Sequence, residues 1–272
     1  MSDDTDDGRA AGIRVSIEDG ILHLVIDRPD RRNSLPPDGV LRLIAALEEA
    51  STDDSLRAVL LRGSEGNFCS GADWVARNAD GGEKPRTGSI QRRTPIQAHR
   101  LIWLVNEIQL PVVSSVRGWA AGLGCQLALA SDFVVAADDS TFWLPFVERG
   151  FTPDSGASWM ISRLVGVARA KEMLMLGRKV TGREAADWGM IHRAVADDEV
   201  DEAARALAVE LAGGPTVALG LTKRLVNRAL TGGVHDAMEA EAQALELSSR
   251  SKDFREGLAA FSERRPPDFT GR

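Results

Sequence analysis

Cysteine is scarce in this chain. Of its 272 residues only Cys69 and Cys125 carry thiols, and they form neither a CxxC pair nor a metal-ligand spacing. That argues against a disulfide framework or a cysteine metal centre. Both sit beside small residues in apolar surroundings and read as buried thiols in a reducing compartment. No apolar run approaches the roughly 20 residues that a membrane-spanning helix needs. Positive charge is also short: 33 Lys+Arg stand against 40 Asp+Glu, for a net charge of -7. Bulk attraction to nucleic acid is thereby removed, although a local basic patch could still hold phosphates. No internal repeat or low-complexity linker stands out. The opening MSDDTDDGRA is acidic and has no apolar segment, so residues 1–11 read as a frayed acidic tail rather than a signal peptide. The expectation is a cytoplasmic protein with no metal, no cofactor, no nucleic acid and no membrane.

What is present fits one large domain, or one domain with an appendage. Hydrophobic residues make up 43% and charged residues 27%, enough to bury a substantial core. Residues 13–27 form two alternating runs broken by Asp19-Gly20, a hairpin pattern. Residues 39–51 and 95–109 have helical spacing. Short, nearly all-apolar runs at 57–63, 110–118 and 131–142 read as buried strands of an α/β core. The segment 64–74 reads as a loop that turns helical at its end. Beyond residue 155 no strand is expected except a short one near 191–195. Residues 200–212, 215–231, 233–250 and 253–263 all read as helices. The division expected is therefore an α/β core over 12–200 and a helical region over 201–272.

Two segments share one grammar: strand, glycine turn, helix start. The first is AVLLRGSEGNFCSGADW (58–74), with Gly71-Ala72-Asp73. The second is VVSSVRGWAAGLGCQ (112–126), with Gly122-Leu123-Gly124. Glycines at such places serve turn chemistry or close packing. Two turns that aim free backbone N–H groups at one point could instead hold a developing oxyanion. Neither segment has the spacing of a dinucleotide fingerprint.

In this order the segments resemble the enoyl-CoA hydratase/isomerase (crotonase) family. RPDRRNSL (28–35), NFCSGADW (67–74), GWAAGLGCQLALASDF (118–133), FTPDSGASWMISRLVG (151–166), GRKVTGREAADWGMIHRAV (177–195) and FREGLAAFSERRPPDFTGR (254–272) carry the likeness. It spans nearly the whole chain. The resemblance implies a spiral of ββα units with a helical C-terminal trimerisation region, and a homotrimer or dimer of trimers. It implies acyl-CoA thioesters as substrates, with coenzyme A part of the substrate rather than a cofactor. It assigns the oxyanion donors to the N–H groups of Ala72 and Leu123, where leucine replaces the usual glycine. It also assigns substrate contacts to Arg31, Arg32, Ala72, Asp73, Trp74, Val75, Gly122 and Phe146.

The likeness is incomplete at the acids. Hydratases of this family use two glutamates. At the matching positions this chain has Gln126, in Cys125-Gln126-Leu127, and Phe146, in Leu144-Pro145-Phe146. An amide and a phenyl ring do not exchange protons near neutral pH. One acid is well placed: Asp154, in TPDSGAS. It reads either as a helix N-cap or as an acid/base. The resemblance favours the second, being nearest to the branch of ring-epoxide phenylacetyl-CoA isomerases, where an aspartate at this motif position shuttles a proton. His99 is a structural or solvated histidine, or a site residue. The dehalogenase branch has a histidine at this offset and a nucleophilic aspartate at the position of Asp154, so hydrolysis is a rival. Arg28, Arg31 and Arg32, with Arg264 and Arg265 across a subunit boundary, could meet CoA phosphates or be solvated. Trp74, Trp143, Phe146 and Trp159 could line an acyl pocket or be core. Double-bond or ring isomerisation is the favoured reaction. Hydration, hydrolysis and a non-catalytic CoA-binding subunit are its alternatives.

Overall fold

The computed structural model describes residues 11–73 and 86–272. The helical end expected for the segment 64–74, and most of the acidic tail, lie outside these residues. The chain opens with the hairpin β1 (Ile13–Glu18) and β2 (Ile21–Ile26). Asp19 at φ 51° and Gly20 at φ 75° make its two-residue turn, whose left-handed backbone matches the strand twist. Helix α1 (Pro37–Ala50) buries Val40, Leu43, Ile44 and Leu47, one stripe at helical spacing. Next come β3 (Ala58–Gly63), α2 (Ser89–Arg93), α3 (Ala98–Glu107), β4 (Val112–Val116), β5 (Trp119–Ala121) and α4 (Leu123–Leu129). Strands β6 (Phe133–Ala137) and β7 (Thr141–Trp143) precede α5 (Ala157–Met175), which is interrupted at Gly166. The chain ends with β8 (Val180–Thr181), α6 (Gly182–Asp187), β9 (Arg193–Val195), α7 (Val200–Ala212), α8 (Thr216–Ala229), α9 (Val234–Ser248) and α10 (Lys252–Glu263).

Six strands form one sheet in the order β1-β2-β3-β4-β6-β9. Only β1 is antiparallel; the others pair in parallel. Strands covered on both faces read as continuous apolar runs, and β3 and β4 do. One face meets α1 and α3 through Leu22, Leu24, Leu61, Leu43, Leu47 and Leu101. The other meets α7 through Leu60, Val113, Val135, Val200, Ala204 and Leu207. Ser114 and Ser115 are the polar interruptions of β4. Their hydroxyls bond to Ser131 and Asp201, so neither is stranded.

A second sheet, β5-β7-β8, stands on the C-terminal side of the first. Strand β8 corrects the expectation that 191–195 is the one strand beyond residue 155. It has two residues and pairs with β7 at Phe142 and Thr141, too few for any periodicity. Helix α6 was also not foreseen. Its signal was present: Thr181 and Glu184 form a reciprocal capping box.

Candidate active site

The two glycine turns meet. Cys69 donates its N–H to Trp119 O (2.8 Å), and Ala121 N donates back to Cys69 O (2.9 Å). On its other side Gly71 O accepts from Leu35 N (2.8 Å), while Asp73 N donates to Leu35 O (2.9 Å). These bonds use the backbone on either side of Ala72 and leave its own N–H without a partner among the described residues. Gly71 has φ 102°. A Cβ there would lie 2.8 Å from Ala121 O and 3.5 Å from Leu123 N, so the second turn passes directly over the first. Gly124 is held closer still: a Cβ would come 2.3 Å from Cys69 O. Glycine is required at both places for close backbone approach.

Gly122 sits at φ 52°, ψ −123°, a region that side chains with a Cβ avoid. Its N–H goes to Trp143 O (2.8 Å), and its carbonyl takes Gln126 N. Leu123 then opens α4, and its N–H has no partner among the described residues, as is usual in the first turn of a helix. Its side chain is 7% exposed and packs in the main core cluster, so it finds the room that a glycine would not need.

Ala72 and Leu123 both border a chamber of about 250 Å³. Phe146 and Pro145 form one wall, and Phe146 packs edge-on against Phe151 at 5.6 Å. Thr94, Gln97 and Ala98 form another. Ala72, Ile90, Arg149, Phe151 and Asp154 are shared with a longer groove of about 840 Å³, which is also bordered by Arg31, Ser34 and Asp73. The chamber therefore opens into a groove with a basic rim, and Asp154 stands where they join.

Asp154 does not cap a helix. The N-cap of α5 is Gly156, and no side chain bonds there. Ser155 at φ 46° and Gly156 at φ 81° turn the chain between them, leaving the Asp154 carboxylate at the chamber. Gln126, 1% exposed, reaches residue 154 from α4. Its Nε2 donates to the Asp154 carbonyl and lies 3.5 Å from Oδ1.

Other expected site residues fall elsewhere. His99 is exposed and borders a second groove of about 580 Å³ with Trp103, Trp159 and Asn227, which meets the chamber at Ser155. Trp159 lines that groove too, under Arg163. Trp143 donates to Gly177 O and stacks with Trp119, away from the chamber. Arg28 is spent on Asp73 (3.1 Å) and the Ser34 carbonyl, so it braces the turn. Arg31 borders the groove, whereas Arg32 does not. Arg265 is engaged by Glu256 and Glu263 within the same chain. Trp74 and Val75 lie outside the described residues. Sequence reasoning missed the contact from Gln126 to Asp154, because the two are 28 residues apart and no spacing rule joins them. Both cysteines are fully buried, and burial pushes each thiol up to about 12.

Residues 16–272 match the family model described as enoyl-CoA hydratase/isomerase. The chain belongs to the enoyl-CoA hydratase/isomerase family. It is 37% identical over 258 residues to the 1,2-epoxyphenylacetyl-CoA isomerase of Escherichia coli (strain K12), covering 94% of this chain and 97% of that protein. It is also 37% identical, over 260 residues, to a probable enoyl-CoA hydratase of Rhodobacter capsulatus, covering 96% and 98%. The crystal structure of an enoyl-CoA hydratase from Polaromonas sp. JS666 superposes with a TM-score of 0.88 at 30% identity, covering 94% of this chain and 99% of that one. This member of the family is an acyl-CoA enzyme with the crotonase fold. No helix among its described residues is long and apolar enough to cross a membrane.

Proposed function

We propose that this family member isomerises an acyl-CoA, moving a double bond or opening a strained ring, with Asp154 as the sole acid/base. The observation that carries this reading is the position of Asp154. Its carboxylate shares a small chamber with the free N–H groups of Ala72 and Leu123, while positions 126 and 146 hold no acid.

In this reading the thioester carbonyl lies between the two N–H donors. Asp154 takes a proton from carbon, and the C–H electron pair moves toward the carbonyl oxygen. Negative charge grows there as the enolate forms, and the two donors stabilise it. Each such donor is worth about 3 kcal/mol at the transition state. Asp154 then returns the proton to another carbon. Atoms balance without water, which suits a chamber whose wall is Phe146. The groove bordered by Arg31 and Arg149 accommodates the rest of the CoA, where guanidinium forks suit phosphate. Hydrolysis through a His99–Asp154 pair is disfavoured, because His99 lines the neighbouring groove and not the chamber that Asp154 borders, although the two meet at Ser155. Assembly as a trimer or a dimer of trimers is part of the proposal. Exposed apolar residues on α8 to α10, such as Val226, Met238 and Phe261, support it.

Incubation with 3-hexenoyl-CoA and phenylacetyl-CoA in deuterated, heavy-oxygen water tests the reading. Deuterium incorporation without the oxygen label is expected. A product carrying one added labelled oxygen would overturn isomerisation in favour of hydration or hydrolysis. Saturable CoA binding without turnover of any thioester would point to a binding subunit.

A further inference from the structure

Gln126 is the residue whose surroundings the chemistry above leaves unexplained. It is fully buried, yet its Oε1 has no partner among the described residues. A stranded buried acceptor costs on the order of 1–3 kcal/mol. The other end of the amide shows why the cost is borne. Nε2 donates to the Asp154 carbonyl, which also accepts from Ala157 N (2.9 Å) at the start of α5. Turning the amide over would set Oε1 against that carbonyl, acceptor to acceptor. The carbonyl therefore fixes the NH₂ end toward residue 154, close to Oδ1. The loop itself supplies no substitute, because Gly156 caps α5 and Ser155 is in the left-handed region.

We infer that Gln126 is the positioning residue of Asp154: its amide donates to residue 154 from beneath and holds the carboxylate in the chamber. The inference rests on the reading of Asp154 as proton carrier. An ionised glutamate of the same shape has no donor for the carbonyl and sets a like charge beside the carboxylate. The other charged groups that border the chamber are Arg93 and Arg149.

The test compares Gln126→Met, Gln126→Glu and Asp154→Asn with the wild type. The readouts are hydrogen–deuterium exchange into phenylacetyl-CoA and 3-hexenoyl-CoA at pH 5 to 9, with kcat and KM separated, and Tm. Gln126→Met matches the volume and deletes both the donor and the stranded acceptor. It is expected to keep its Tm and its KM while kcat falls by about 100-fold, the loss that a misplacement of about 1 Å produces. Gln126→Glu regains a donor only when protonated, so its exchange is expected to persist at pH 5 and vanish toward pH 8. If Gln126→Met keeps wild-type kcat while Asp154→Asn is inactive, the inference about Gln126 fails alone. A Gln126→Met protein whose kcat loss merely tracks a fallen Tm also overturns it, leaving a structural glutamine. Should Asp154→Asn exchange as fast as wild type, or wild type exchange neither probe, the proton-carrier reading fails and takes this one with it.

Discussion

The Gln126 amide donates to the backbone carbonyl of Asp154, tying the helix after the second glycine turn to the loop before α5. One contact thus joins the proposed oxyanion elements to the proposed acid. Asp154→Asn removes the proton carrier and keeps the shape. Loss of about 10²–10⁴-fold in turnover is expected, with an unchanged melting temperature. Equal turnover in the variant would remove Asp154 from the chemistry.

Gly122 and Gly124 are expected to fail differently. A Cβ at Gly122 meets nothing within 4 Å, so Gly122→Ala carries only backbone strain, about 1–3 kcal/mol. Relief of that strain turns the Leu123 N–H, so kcat drops more than stability does. At Gly124 the added Cβ would strike Cys69 O, and Gly124→Ala should chiefly lower Tm or soluble yield. Parallel measurement of Tm and kcat on the two variants decides it. Identical behaviour would contradict the distinction.

Lys223 pairs with Asp132 at 2.7 Å, with side chains only 7% and 18% exposed. Burial lowers the lysine's pKa and raises the aspartate's, so desolvation outweighs the attraction in both. The pair clamps α8 to the Val105 and Leu110 carbonyls more than it stabilises. Breaking it with Lys223→Ala should cost about 3–5 kcal/mol by leaving the buried Asp132 charge with the Val112 N–H but no cation. The double change Lys223→Met, Asp132→Asn should cost much less than the sum of the singles. Additive losses in denaturant titrations would show that the two do not couple.

The C-terminal tail should loosen in acid. Arg265, donating to its side chain, and then the Asp268 N–H hold the Glu256 carboxyl down to about 2. A depressed carboxyl contributes stability above its unfolded value near 4.5 and loses it as pH falls toward 2. Protection of the Asp268 amide in hydrogen exchange, corrected for intrinsic rate, is therefore expected to fall between pH 5 and pH 2. A flat profile would show that the Glu256 contacts do not hold the tail.

The buried thiols should be silent. With each pushed up to about 12, Cys69 and Cys125 are expected to resist aromatic disulfide reagents until the protein unfolds. Rapid labelling of the native protein would contradict their burial.

The sequence by itself determined the hairpin, the buried strands, the C-terminal helices and the family. Each depends on a local pattern: alternation, apolar runs, 3.6-residue spacing, or glycines in fixed order. It also named Ala72, Leu123 and Asp154, because motif position travels with the chain. Only the tertiary structure decided that Asp154 is no helix cap, that the Gln126 amide donates to its carbonyl, and that Arg28 braces Asp73. The same is true of His99 and Trp159, which lie at a different groove. Those outcomes depend on contacts between residues far apart in sequence and on which way a helix face turns. A dihedral at Ser155 or Gly122 directs a side chain or an N–H into the chamber, and no one-dimensional pattern encodes that direction.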